Sequence, residues 1–176
     1  MYQEELKIPK DRIAILIGKK GLIKKRIELK TKTKLKIDSI EGDVVISGDD
    51  PVQVYDTKNL IRAIGRGFNP DIAFSLLNEE ILLEVIDIQE ICGKSKNKQL
   101  RAKARVIGTE GKSRHLVERL TNTDISIYGK TVSIIGNAEN AFLARRVVEM
   151  LLHGSKHGNV YFWLEKQLKN RRLHRI

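Results

Sequence analysis

The sequence lacks several features that define common classes of protein. Its 176 residues include one cysteine, Cys92, which has no second cysteine with which to form an intramolecular disulfide. Apolar runs are short, and none approaches the roughly 20 residues that a membrane-spanning helix needs. The N-terminal residues MYQEELKIPK are charged and do not resemble a secretion signal. We therefore expect a cytoplasmic protein that has no contact with a membrane.

Groups that bind metals or perform catalysis are equally scarce. The four histidines are scattered, and the two at helical spacing, His153 and His157, are each followed by a glycine, which favours a loop over a metal-binding helix. The Gly-Lys-Ser triplets at 93–95 and 111–113 resemble the end of a nucleotide-binding P-loop, but the upstream glycine that this loop needs is replaced by Ile88 and Val106. We expect no metal, no cofactor and no enzymatic activity.

Acidic residues are outnumbered, and the excess of positive charge is unevenly distributed. The chain has 33 Lys and Arg against 22 Asp and Glu, a net charge of +11. Residues 7–36 hold twelve of the cations and only two acids, and residues 156–176 hold six cations and one acid. Two concentrated basic regions are the pattern expected for a polyanionic partner. A solvated lysine-rich surface is the alternative, and charge alone does not decide between them.

The first basic region contains one copy of an internal repeat. Residues 17–37, IGKKGLIKKRIELKTKTKLKI, align without gaps with residues 107–127, IGTEGKSRHLVERLTNTDISI. Seven of the 21 aligned positions are identical: an isoleucine at each end, two glycines, one glutamate and two threonines. Because the glycine pair recurs at a fixed spacing, we infer that the chain contains two copies of one fold.

Both halves show the same predicted order of elements: strand, helix, helix, strand, strand, helix. The last helix of each half is predicted at about 52–64 and 138–152, and an exposed loop at 93–98 precedes a helix at 99–107. The class is α+β, with a three-stranded antiparallel sheet packed by three helices in each half. The predicted divisions are a first domain at 1–66, a linker helix at 67–80, a second domain at 81–155 and a basic C-terminal helix at 156–176.

The glycine pairs have a specific physical use. A tight helix-Gly-x-x-Gly-helix turn lets a ribose-phosphate backbone approach the peptide closely, and the amides of the following helix favour negative charge. A single Gly-x-x-Gly has little weight as evidence. Two copies, each in the same order of strands and helices, are typical of type I KH domains, whose groove holds about four nucleotides of single-stranded RNA.

Further motifs resemble one family of KH proteins. The residues AIGRGF at 63–68 resemble the junction between the domains of the partner-of-Nob pre-ribosomal proteins and their Krr-type relatives. The residues 136–154 and the later GNVY at 158–161 resemble the second domain and tail of that family. The sequence is similar to the compact archaeal form, without the N-terminal extension of eukaryotic members.

This resemblance implies a function and a set of contact residues. The family binds near the 3′ end of small-subunit ribosomal RNA during its maturation, alongside the Nob endonuclease, and the archaeal form also contacts the alpha subunit of initiation factor two. We expect a monomer. The predicted RNA-binding residues are Gly18, Lys19, Lys20, Gly21, Lys24, Lys25 and Lys36 in the first half, and Gly108, Thr109, Glu110, Gly111, Lys112 and Arg114 in the second.

Two points stay open on the sequence alone. Glu110 places a negative charge in the second loop, where Lys112 and Arg114 would have to offset it. A KH fold that has lost RNA binding and acts as a protein-interaction scaffold is the alternative function. We expect Gly18→Asp and Gly108→Asp to weaken RNA binding and to leave the fold intact.

Overall fold

A computed structural model describes residues 1–173 of the chain, which divides into two compact units between Leu83 and Glu84. The first unit contains β1 (Tyr2–Lys7), α1 (Lys10–Ile17), α2 (Leu22–Thr31), β2 (Lys34–Ile37), β3 (Asp43–Gly48), α3 (Pro51–Gly65), α4 (Pro70–Ala73) and a 3-10 turn at Phe74–Leu77. The second sheet and its helices comprise β4 (Ile81–Asp87), α5 (Ile88–Cys92), α6 (Lys96–Ile107), α7 (Lys112–Thr121), β5 (Asp124–Tyr128), β6 (Thr131–Asn137), α8 (Ala138–Leu152) and α9 (His157–Leu173). The repeated order predicted from the sequence is confirmed.

Each half forms a three-stranded antiparallel sheet with its last strand in the middle, in the orders β1-β3-β2 and β4-β6-β5. Leu35 is opposite Ile46 in the first sheet, and Ile125 is opposite Ile134 in the second. All four side chains are buried, whereas Lys34 and Lys36 on either side of Leu35 are exposed. This alternation is that of a sheet with one face on the core and one in water, so the predicted α+β class is confirmed.

The long helices α3 and α8 cover the sheets and supply much of each core. Asp50 caps α3 by accepting a hydrogen bond from the Val52 amide at 2.9 Å, and Asn137 caps α8 by accepting one from the Asn140 amide at 2.9 Å. The core residues of these helices have no measurable exposure: Leu60, Ile61 and Ile64 in α3, and Val147, Val148 and Leu151 in α8.

The identical glutamate and threonines of the repeat join the second helix of each motif to the following strand. Oε1 of Glu28 accepts the amide of Leu35 at 2.8 Å, and Oε1 of Glu118 accepts the amide of Ile125 at the same distance. Thr121 donates to the Val117 carbonyl at 2.7 Å, and its hydroxyl lies 2.8 Å from that of Thr123. Thr31 and Thr33 repeat this arrangement in the first unit. The repeat therefore encodes a fixed helix-turn-strand junction.

The segment between β4 and α6 differs from the prediction. The helix α5 was not predicted, and α6 begins at Lys96 instead of residue 99. Asp87 nucleates α5 by accepting a hydrogen bond from the Gln89 amide at 2.7 Å, and Gln99 inside α6 donates to the Gly93 carbonyl at 2.7 Å. The predicted loop at 93–98 is thus limited to the residues before Lys96.

The predicted linker helix is part of the first unit. Its Phe74 is 8% exposed, and the guanidinium of Arg26 lies 4.2 Å from the centre of the Phe74 ring. The same guanidinium is 2.6 Å from the carboxylate of Asp71. These contacts attach residues 70–77 to α2.

The C-terminal helix is confirmed as far as Leu173, and the last three residues of the predicted range lie outside the described residues. Val160 and Leu164, which are 1% and 0% exposed, bury its inner face, and α8 is among its neighbours. Among residues 1–173 no helix has the length and apolar character to cross a bilayer.

Replacement of Thr121 by Val tests the threonine junction. Valine has a similar shape but cannot bond the Thr123 hydroxyl, which is 6% exposed, so a buried polar group loses its partner. We expect a loss of about 1–3 kcal/mol in the free energy of unfolding, measured by urea denaturation. Thr109→Val, at an exposed position, is the matched control and should have little effect. Equal stability of the two variants would contradict the structural role of the junction.

Candidate nucleic-acid interface

The first glycine loop connects α1 to α2 through a sharply turned backbone. The Gly18 amide donates to the Ala14 carbonyl at 2.9 Å, which ends α1, and the Gly18 carbonyl then accepts the Gly21 amide at 3.1 Å. Gly18, Lys20 and Gly21 all have positive φ, at 71°, 53° and 75°. The side chains of Lys19 and Lys20 at the tip are exposed. The loop therefore presents backbone and two cations to solvent.

The second glycine loop, between α6 and α7, has the same geometry. The Gly108 amide donates to the Ala104 carbonyl at 2.8 Å, and the Gly108 carbonyl accepts the Gly111 amide at 3.2 Å. Its φ angles at Gly108, Glu110 and Gly111 are 72°, 54° and 75°, within a few degrees of those of the first loop. The two loops therefore have the same backbone conformation.

The two glycines of each loop are required for different reasons. A Cβ atom on Gly18 would lie 2.4 Å from Cγ1 of Ile23, and one on Gly108 would lie 2.6 Å from Cβ of Ser113. A Cβ on Gly21 would meet no described atom within 4 Å, although its φ of 75° still disfavours a side chain. The first glycine therefore packs against the next helix. This packing argues against the expectation that Gly18→Asp and Gly108→Asp leave the fold intact, because a Cβ at either position would overlap that helix.

In the described part of the chain, the helices that follow the loops begin without a side-chain cap, and their first amides, of Leu22 and Lys112, donate to the carbonyls of Lys19 and Thr109. Gly21 and Gly111 occupy the N-cap positions of α2 and α7, and no side chain within residues 1–173 caps either helix. Each helix has ten residues, so its first turn carries the partial positive charge of the helix dipole. This end of each helix favours an anion such as a phosphate, and only the first loop adds cations of its own, Lys19 and Lys20.

The first turn of each helix carries a cation that is held by the junction glutamate. Nζ of Lys24 lies 4.0 Å from Oε1 of Glu28, and Nε of Arg114 lies 3.7 Å from Oε2 of Glu118. Since these glutamates also bind the strand amides, the two cations are positioned beside β2 and β5. The Arg114 Nε is buried and has no hydrogen-bond partner among the described residues. Its contact with Glu118 is thus an ion pair without a hydrogen bond at Nε.

Charge distinguishes the two interfaces more than shape does. At six aligned positions the first has lysine, at 19, 20, 24, 25, 34 and 36, where the second has Thr109, Glu110, Arg114, His115, Asp124 and Ser126. Glu110 forms an exposed ion pair with Lys112 at 3.3 Å. Burial raises the pKa of the Asp124 carboxyl, and the neighbouring Glu118 raises it further. The structure thus places the predicted residues as two separate sets, of which only the first is uniformly basic.

The C-terminal helix contacts the second loop, which was not predicted from the sequence. The Tyr161 hydroxyl donates to Oγ of Ser113 at 2.9 Å, and Ser113 is the residue against which Gly108 packs. One turn earlier, Nε2 of His157 lies 2.8 Å from the Arg105 carbonyl. The helix α9 therefore supports both sides of the second loop. Tyr161 and Ser113 carry no motif, and only the folded chain brings them together.

No metal centre accompanies these loops in the described part of the chain. Within residues 1–173, no three His, Cys, Asp or Glu side chains are grouped closely enough to hold an ion.

Alanine substitution of the two glycines of the first loop separates the effects of packing and of backbone angle. Positive φ costs an L-residue about 1–2 kcal/mol at either position, but only Gly18→Ala adds overlap with Ile23. We expect Gly18→Ala to lower the free energy of unfolding by clearly more than Gly21→Ala, as measured in urea. Equal losses would show that the contact with Ile23 does not fix the loop.

Comparison with known proteins agrees with this architecture. The family profile for the KH domain matches residues 3–63, and that for the eukaryotic-type KH domain (KH-domain type I) matches residues 82–169. A KH domain-containing protein of Methanocaldococcus jannaschii is 49% identical over 168 residues, which are 93% of this chain and 73% of the relative.

Eukaryotic proteins and a chain of a solved complex are also similar to this chain. The pre-rRNA-processing protein PNO1 of Debaryomyces hansenii is 27% identical over 136 residues, which are 77% of this chain and 53% of the relative. The crystal structure of a complex of a/eIF2alpha, aDim2p and rRNA from Pyrococcus horikoshii contains a chain that is 45% identical, with a TM-score of 0.89 and coverage of 96% of this chain and 95% of that one. The chain belongs to the PNO1/Dim2 family of tandem KH-domain proteins.

Proposed function

We propose that this protein is a single-stranded RNA-binding factor of small-subunit assembly that holds ribosomal RNA near its 3′ end through both glycine loops. Its role is binding, without catalysis. The observation that carries the proposal is the repeated loop: two turns with matching φ angles, each followed by a helix that no side chain of residues 1–173 caps. Such a pair presents two phosphate-binding ends on rigid scaffolds.

Each loop would hold the sugar-phosphate backbone and leave the bases to the adjoining strand. The glycines allow a phosphate to approach the peptide, and the amides at the start of α2 or α7 donate to it. The bases, about four in each groove, would then lie over β2 or β5, where their edges are accessible to polar groups. Lys24 and Lys36 border the first groove, and Arg114 borders the second.

The two grooves would contribute differently to binding. The lysines of the first groove supply electrostatic attraction that is independent of base sequence. The second groove contains Glu110 and Asp124, which weaken this attraction, so its binding depends more on hydrogen bonds and on the fit of the strand. Affinity would come mainly from the first groove, and selection among RNA sequences mainly from the second.

The relatives support this assignment and suggest partners. The Debaryomyces protein is named for pre-rRNA processing, and the Pyrococcus chain was solved with rRNA and a/eIF2alpha. We extend both partners to this chain, and add the Nob endonuclease on the family resemblance. We also propose that the protein acts in the cytoplasm as a monomer.

Single charge changes at the tip of each loop test the proposal without changing the backbone. Asparagine accepts the left-handed conformation of Lys20, so Lys20→Asn removes one cation from an intact loop. For a labelled oligonucleotide of the small-subunit 3′ end, we expect weaker binding and a salt-dependence slope smaller by about 0.7. Fluorescence anisotropy over a range of salt concentrations provides both values.

The opposite change in the second loop should have the opposite effect. Glu110→Lys removes the carboxylate that pairs with Lys112 and adds a cation at the tip. We expect tighter binding of the same oligonucleotide and a slope larger by about 0.7. An oligonucleotide of scrambled sequence is the control, and it should gain as much from the change as the native sequence.

The second candidate function is that of a protein-interaction scaffold. The presence of a/eIF2alpha in the Pyrococcus complex supports this candidate. If RNA affinity proves nearly independent of salt and neither loop variant alters it, the loops do not hold phosphate. Binding of the initiation-factor subunit by both variants would then identify protein recognition as the main role.

A further inference from the structure

A cavity of about 510 Å³ opens on the first unit, at the opposite end of α1 from the glycine loop. Its floor is aliphatic, formed by Leu6, Ile8, Pro9 and Gly65. Its other lining residues comprise five cations and one carboxylate: Lys7, Lys10, Lys58, Arg62, Arg66 and Glu41. The volume is in the range of small-ligand sites. Lys7 is paired with Glu41 and Asp43 and Lys58 with Glu4, so the groups at the rim that would attract an anion are Lys10, Arg62 and Arg66.

The second unit provides an internal comparison for this cavity. Ile8 and Ile88 each follow the first strand of their motif, and both are buried. The Ile8 amide donates to the Gly42 carbonyl at 3.0 Å, and the Ile88 amide donates to the Lys130 carbonyl at 2.9 Å, both in the hairpin after the second strand. These isoleucines are therefore equivalent positions.

The two units differ in structure directly after these isoleucines. In the first unit α1 begins at once, at Lys10, whereas in the second unit α5 and a loop precede α6. Cys92 at the end of α5 lies against α8, with its Sγ 3.7 Å from the Leu152 carbonyl. The residue of α3 that corresponds to Leu152, at the same place in a helix of 15 residues, is Gly65. The cavity lies beside Gly65, where Ile8 and Pro9 pack against the helix in place of a side chain, and the first unit has no counterpart of the extra helix α5 there.

The charges beside the cavity also depart from those of the second unit. Lys58 bonds Glu4 at 2.8 Å, as the equivalent Arg145 bonds Glu84. Arg145 has a second acid, Glu149, at 2.9 Å one turn later. The first unit has Arg62 in that place, and Arg62 forms no ion pair within residues 1–173. The second unit therefore has an acid, Glu149, that neutralises Arg145, whereas the first unit has a further cation, Arg62, at the equivalent position.

We propose that this cavity is a second phosphate-binding site for RNA, occupied by a nucleotide of the same strand that the first glycine loop holds. The helix α1 has eight residues and is about 12 Å long, so a strand leaving the loop can reach the cavity along it. The phosphate lies among Lys10, Arg62 and Arg66, and the sugar covers the aliphatic floor. No aromatic residue lines the cavity within the described chain, so the site has no preference among bases.

The inference rests on the proposed function. Comparison of a short and a long RNA distinguishes binding at the cavity from binding at the glycine loop. A labelled RNA of four nucleotides fills only the glycine loop and its groove, whereas one of twelve nucleotides also reaches the cavity. Arg62 is exposed, so Arg62→Glu should preserve the fold, which thermal unfolding checks. We expect this variant of the full chain to bind the longer RNA about tenfold more weakly, with a slope smaller by about 0.7, and to bind the shorter RNA almost as the original protein does.

Lys166→Glu is the matched control, because it makes the same change of net charge at an exposed position of another helix. It should have little effect on either RNA. Equal loss for both RNA lengths with Arg62→Glu, or equal loss with Lys166→Glu, would overturn the inference, since net charge alone would explain it.

The outcomes also distinguish failure of the cavity from failure of the loops. If Lys20→Asn weakens both RNA lengths while Arg62→Glu weakens neither, the loop proposal stands and the cavity does not bind RNA. In that case an acidic peptide that carries a leucine is tested, and binding that Arg62→Glu abolishes would reassign the cavity to a protein partner. A loss that differs among twelve-nucleotide homopolymers would contradict the absence of base preference.

Discussion

The hydrogen bond from a strand amide to a helix glutamate is the interaction on which each groove depends. Glu28 and Glu118 fix the start of the next strand against the second helix, and each also lies beside the cation one turn before it. One carboxylate thus sets both the position of the strand and the direction of a basic side chain. Loss of it would widen the groove and release the cation together.

Much of this architecture could be predicted from the sequence, because the glycine spacing and the element order occur twice. The role of the repeated Glu28 and Thr31 could not be predicted, since their partners become neighbours only after the chain turns. The helix α5 was missed because five residues carry too little periodicity, and its start depends on one capping side chain, Asp87. The cavity beside Gly65 could not be predicted either, since its lining residues come mainly from β1, α1 and α3 and become neighbours only in the folded chain.

The two units show how one fold acquires different electrostatic character without rearrangement. The residues that close the junction are identical and the aligned core positions stay aliphatic, whereas most of the groove lysines are replaced by polar or acidic residues, with Arg114 in place of Lys24 as the exception. Lys20 and Glu110 have nearly the same φ, so the charge at the tip has changed while the backbone has not. The charge at the tip of the loop can therefore change without a change in the backbone that carries it.

The close contact of Gly18 with Ile23 has a kinetic consequence. A loop that is closed by its own packing and by the bond between Gly18 and Gly21 is already ordered before any ligand arrives. For a loop that holds RNA as proposed, binding would require little loss of conformational entropy, and the encounter would be governed by diffusion and by the field of the exposed lysines. In such a preorganised site the surface charges act mainly on the association rate, whereas residence time depends on the contacts made inside the groove.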